Sequence, residues 1–116
     1  MRVLFDKNVP FGLARHLQRH SVLKAAQLGW GALSNGRLLA AAEQAGFEVL
    51  VTADKSIRYQ QNIESRRIAL VVLGSPSWPL LQQHIPEIQG AIDAAVAGSY
   101  FEVEIIPPPK APNLQQ

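Results

Sequence analysis

The stretch Met1-Arg2-Val3-Leu4-Phe5-Asp6-Lys7-Asn8-Val9-Pro10 decides how this chain folds. Val3, Leu4 and Phe5 make an apolar run too short for a helix, and such a run reads as a strand buried on both faces. Asp6 follows at once. An unpaired carboxylate in an apolar core is driven to find partners or to neutralise. Asp6 is therefore expected where the sheet ends and solvent begins. In a parallel α/β sheet that carboxyl edge is where ligands bind.

Working outward, residues 47–52 (Phe-Glu-Val-Leu-Val-Thr) form the clearest strand, and it runs into Ala53-Asp54. Residues 68–73 are a third apolar run, closed by Gly74-Ser75-Pro76. Between these runs the pattern is helical. Pro10 opens a helix with Leu13, Leu17 and Phe11 on one face and Arg15, His16 and Arg19 outside. Residues 21–24 are a short strand-compatible piece, and Gln27 to Gly31 reads as a turn. Ser34 is a suitable N-cap for a helix that carries Leu38, Leu39 and Ala42 and stops at Gly46. Residues 78–97 are helical in pattern, interrupted near Pro86. Residues 100–106 alternate apolar and acidic, as a half-exposed edge strand does.

Strands alternating with helical stretches imply an α/β fold with a mainly parallel sheet, in which the strands ending at Phe5, Thr52 and Leu73 are central. The chain has 116 residues, 47% hydrophobic and 17% charged, which suits one globular domain over residues 1–106. Residues 107–116 are proline-rich and polar, and are expected to be a flexible tail. The formal charge of +2 is too small to argue nucleic-acid binding by itself. There is no cysteine, so disulfides and thiolate metal sites are excluded and a reducing cytoplasm is permitted. No run approaches the roughly 18 apolar residues of a membrane span, and no signal peptide is expected.

If the strands are parallel, Asp6 and Asp54 lie on one edge with Asn8 and Thr52 close by. Two carboxylates with amide and hydroxyl oxygens make a hard-oxygen set of the kind Mg²⁺ or Mn²⁺ prefers. A metal there could neutralise a phosphate and orient a water. Lys7, Lys55 and Arg58 flank the aspartates and could hold a nucleic-acid backbone. The simpler reading stands beside this one: an Asp just after a strand is a common turn or capping residue, and the lysines are its solvated neighbours. His16, His20 and His84 have no ligand spacing and read as surface residues. Tyr59, Trp30 and Trp78 could stack bases, though large aromatics more often pack. No Walker loop or GxGxxG is present, which argues against a nucleotide cofactor.

Leu4-Phe5-Asp6-Lys7-Asn8-Val9-Pro10, followed by Val49-Leu50-Val51-Thr52-Ala53-Asp54-Lys55, resembles the short bacterial PIN-like proteins. In those, one strand ends in Asp-Glu-Asn-Xaa-Pro and a later one in Thr-Xaa-Asp. The resemblance covers about residues 1–75. It implies a three-layer α/β/α sandwich and a Mg²⁺- or Mn²⁺-dependent ribonuclease edge. The wider superfamily includes toxins of VapC-type toxin–antitoxin pairs, so the implied partners are RNA and a small antitoxin protein. Asp6 and Asp54 would be the metal carboxylates, with Asn8 an accessory ligand or a loop-fixing residue. Three positions depart from the pattern. Lys7 stands where Glu is frequent, the helix start at Asn35 and Arg37 supplies no acid, and Ser56 takes the place of a further Asp.

Glu43 is the substitute acid on that helix, but it lies eight residues beyond Asn35, about 12 Å along the axis. Arg37 would either fork onto the two carboxylates and compete with a metal or point to solvent from the first turn. The expected function is a PIN-like ribonuclease. The alternatives are a catalytically weak or inactive module that binds RNA or a protein, and an oligomerising domain whose edge strand at 100–106 makes a homodimer.

Overall fold

In the computed structural model, which describes residues 1–57 and 62–106, five strands form one sheet: β1 (Arg2–Phe5), β2 (Ser21–Lys24), β3 (Val49–Thr52), β4 (Ala69–Leu73) and β5 (Tyr100–Val103). The spatial order is β2-β1-β3-β4-β5 and every pair is parallel. The three strands expected to be central are the three interior ones, and β5 is an edge. Arg58, Tyr59 and the proline-rich segment 107–116 lie outside the described residues.

The interior strands are buried on both faces, as their continuous apolar runs require. Every residue of β3 and β4 is buried. Alternation divides the core in two. Val3, Phe5, Val49, Val51, Val71 and Leu73 face one layer, where Leu13, Leu17, Leu81, Ile88 and Ile92 meet them. Leu4, Leu50, Leu70 and Val72 face the other, where they meet Leu38, Leu39, Ala42, Phe47, Ile57 and Ile63. Helices thus cover both sides of the sheet, and the fold is a single-domain α/β/α sandwich.

Helix α1 (Asn35–Gln44) supplies the second layer, with Leu38, Leu39 and Ala42 buried. Ser34 occupies its N-cap position, but its side chain makes no capping hydrogen bond. Gly46 ends the helix at φ 86°, a left-handed conformation that a side chain would resist. Helices α2 (Trp78–Leu81) and α3 (Ile85–Asp93) build the first layer. The expected break falls at His84, one residue before α3, and Pro86 sits in the first turn of α3, where its missing N–H costs nothing.

Three boundaries differ from expectation. Pro10 precedes the expected helix, which is a 3₁₀ helix, Phe11–His16, that ends short of Leu17. Gly12 sits close to Trp78, where a Cβ would stand 3.2 Å from the ring, and glycine favours helix poorly. Phe11 is 40% exposed, although its ring meets Phe5 edge-on. β3 begins at Val49, with Phe47 turned into the core beneath the Arg2 guanidinium. β5 ends at Val103, short of residue 106.

The connection from β1 to β2 runs over the first layer, and the next two run over the second. The step from β4 to β5 returns to the first layer. It moves across the sheet in the same direction as the step from β3 to β4 but over the opposite face. These two crossovers therefore have opposite hands, and one departs from the right-handed rule. The return lays α2 and α3 beside the Phe11–His16 turn. Their contact is secured by Gln89, whose Nε2 donates to the His16 carbonyl at 2.8 Å.

Candidate active edge at the carboxyl ends of β1 and β3

The chain leaves β1 over one face and β3 over the other. Loops that part in this way open a crevice at the carboxyl ends of the two strands, the usual ligand position in open α/β sheets. Asp6 follows β1 there and Asp54 follows β3. The β1–β3 ladder continues one bond further, since the Asp6 N–H donates to the Val51 carbonyl at 2.9 Å.

Asp6 is buried rather than at the solvent boundary, with 8% of its surface exposed. Its charge is satisfied by hydrogen bonds. The Thr52 hydroxyl donates to Oδ2 at 2.7 Å and the Lys7 backbone N–H to Oδ1 at 2.7 Å. Thr52 is fully buried and has a second role, because its Oγ accepts the Asp54 N–H at 3.1 Å. An ionised carboxylate only accepts, so the single hydroxyl proton must point at Asp6 and the lone pairs at Asp54. One threonine hydroxyl thus links the two aspartates. Asn8 ties the loops together as well, its Oδ1 accepting the Ala53 N–H at 3.0 Å. Of its two expected roles, loop fixing is the one its carbonyl oxygen performs.

Asp54 is held by two segments. The Asn35 amide, from the first turn of α1, donates to Oδ2 at 2.9 Å. Ser56 donates to Oδ1 with its backbone N–H at 3.0 Å and its hydroxyl at 2.7 Å. The second set closes a local Asx turn, so Asp54 has the turn role. These donors hold the Asp54 carboxyl below its usual 3.8, the Asn35 amide most strongly and the Ser56 hydroxyl and N–H next, against a smaller opposing effect of burial.

Asp6, Asn8, Asn35, Thr52, Asp54 and Ser56 therefore come together. Lys7 and Lys55 flank them, exposed. Arg58 lies outside the described residues. Arg37 is exposed and makes no ion pair among the described residues, so it points to solvent and does not fork onto the aspartates. Glu43 is not part of the edge. It pairs with the Arg66 guanidinium at 3.2 Å and accepts the Arg67 backbone N–H, fastening α1 to the start of β4 at the other end of the sheet.

For a divalent cation the donor chemistry fits in part. Counting donors among the described residues, Asp6 keeps a lone pair on each oxygen and Asp54 keeps one on Oδ2, while Asp54 Oδ1 is filled by Ser56. Among the described residues no group of three or more His, Cys, Asp or Glu side chains is placed to hold a metal ion. Two aspartates could hold a hard cation that keeps most of its water.

Sequence reasoning missed the other polar end of the sheet. His20 is not a surface residue, since only 7% of its side chain is exposed. Its Nε2 meets Asp93 at 2.6 Å and its Nδ1 meets the Met1 nitrogen at 3.1 Å. The partners are 73 residues apart, so no local signal could reveal the pair. Both tryptophans pack: Trp30 against Phe47, and Trp78 against His16 and Gly12. Among the described residues no helix is long and apolar enough to cross a membrane.

No family model, no curated protein and no solved structure matches this chain.

Proposed function

We propose that this chain is a PIN-like protein whose carboxyl edge binds Mg²⁺ or Mn²⁺ weakly through Asp6 and Asp54 and cleaves RNA. The observation that carries this reading is the meeting of Asp6 and Asp54 at the β1–β3 crevice, joined through Thr52. A cation bound there would supply neutralisation of phosphate charge and activation of water. The chain's own residues do the rest. Thr52 fixes Asp6, Asn35 and Ser56 keep Asp54 ionised, and Asn8 holds the two loops at constant spacing. Lys7, Lys55 and Arg58 would steer the RNA backbone. The motif resemblance extends the proposal to a cytoplasmic toxin held by a small antitoxin protein.

A second reading is favoured by a specific contact. A neutral amide, Asn35, rests on Asp54 at the helix start where the resemblance would bring an acid. Such an edge suits a module that binds RNA or a protein with little or no cleavage. One experiment separates the two: incubation of RNA with wild type, Asp6→Asn and Asp54→Asn, with and without Mn²⁺. Cleavage that needs Mn²⁺ and both aspartates supports the ribonuclease. RNA binding without metal-dependent cleavage supports the binding module.

A further inference from the structure

We propose that the depression lined by Arg15, His16, Gln18, Arg19 and Gln89 is a binding site for a phosphate group. It is an open concavity of about 340 Å³, beside the amino ends of β1 and β2 and so opposite Asp6 and Asp54. All five side chains carry hydrogen-bond donors and none is acidic. Arg15 is exposed and makes no ion pair among the described residues. The Arg19 side chain is 85% exposed and held only loosely, at 3.7 Å from Asp93. Asp93, the acid beside the depression, is already engaged by His20 at 2.6 Å. Arg15, with the loosely paired Arg19 beside it, can thus meet an oxyanion, and the planar forks of the two match phosphate oxygens.

The floor of the depression is fixed by packing. The His16 carbonyl accepts from Gln89 at 2.8 Å, which pins the turn to α3. The His16 ring lies tilted against Trp78 at 6.1 Å, and a Cβ at residue 12 would stand 3.2 Å from the Trp78 ring. This arrangement owes nothing to the chemistry at Asp6 and Asp54, and it stands or falls separately from it.

The test is titration of the full chain with inorganic phosphate, followed by NMR at the His16 ring, the Gln89 side-chain amide and the arginine Nε groups. Saturable shifts at these groups are expected. Affinity should fall about tenfold or more in the Arg15→Gln/Arg19→Gln double variant, which loses both forks, and should not change in Arg37→Gln at the other end of the sheet. Absence of saturable shifts, or equal affinity in the double variant, would overturn the proposal. Two RNA oligonucleotides, one 5′-phosphorylated and one 5′-hydroxyl, identify the source of the phosphate. Tighter binding of the phosphorylated strand supports a nucleic-acid end as the ligand. Equal binding of both strands, with inorganic phosphate still bound, supports a small phosphate.

Discussion

The two ends of the sheet treat their acids differently. At the carboxyl edge, the donors to Asp6 and Asp54 among the described residues are neutral: a threonine, a serine, an asparagine and backbone N–H groups. At the other end, Asp93 faces an imidazole and a guanidinium. Neutral donors stabilise an anion without cancelling its charge, and the nearby cations Lys7 and Lys55 are exposed. The Arg19 guanidinium offsets the charge of Asp93, and Arg15 makes no ion pair among the described residues. The contrast underlies the two proposals, a cation at the carboxyl edge and a phosphate at the other end.

The largest expected effect is at the buried hydroxyl. Thr52→Val removes a hydrogen bond to a buried carboxylate and leaves the Asp54 N–H unpaired, so a loss of about 2–3 kcal/mol is expected in urea unfolding. Asp93→Asn, at a side chain that is 40% exposed, should cost less, about 0.5–1 kcal/mol. Equal losses at the two sites would break the contrast between a buried, neutrally held acid and an exposed, charge-paired one.

A smaller effect concerns acid. Asp54 titrates below its ordinary 3.8 in the folded chain, with the Asn35 amide as the largest cause. Its contribution to stability is therefore complete above pH 3.8 and is lost as pH falls through the depressed folded value. Asn35→Ala should raise the Asp54 pKa toward 3.8, as followed by carboxyl NMR, and Ser56→Ala should raise it less. A larger rise in the serine variant would reassign the dominant donor.

Much of the fold was legible because it rests on strand-length apolar runs. Val3 to Phe5, residues 49–52 and residues 69–73 announce interior strands by composition alone, and Asp6 and Asp54 mark their carboxyl ends. The helix after Pro10 was legible, with Leu13 and Leu17 buried as their spacing implies, but its 3₁₀ geometry and its end at His16 were not. The linkage through Thr52 was only half visible. Proximity to Asp54 is local, but donation to Asp6 spans 46 residues and depends on strand pairing. The His20–Asp93 pair was invisible for the same reason. Arg37 illustrates the reverse case, where position near the edge did not mean contact with it.

The smallest effect follows from that last point. Arg37→Glu should leave Mn²⁺ affinity and RNA cleavage unchanged, because the side chain points to solvent. A rise in both would show that Arg37 reaches the aspartates in solution.

The most direct test is Mn²⁺ titration of the full chain, read as paramagnetic broadening in NMR spectra. The account predicts weak, saturable broadening centred on Asp6, Asn8, Asn35, Asp54 and Ser56, sparing His20 and Asp93, and abolished in the Asp6→Asn/Asp54→Asn double variant. Broadening centred on Asp93, or broadening at the carboxyl edge that survives in the double variant, would contradict it.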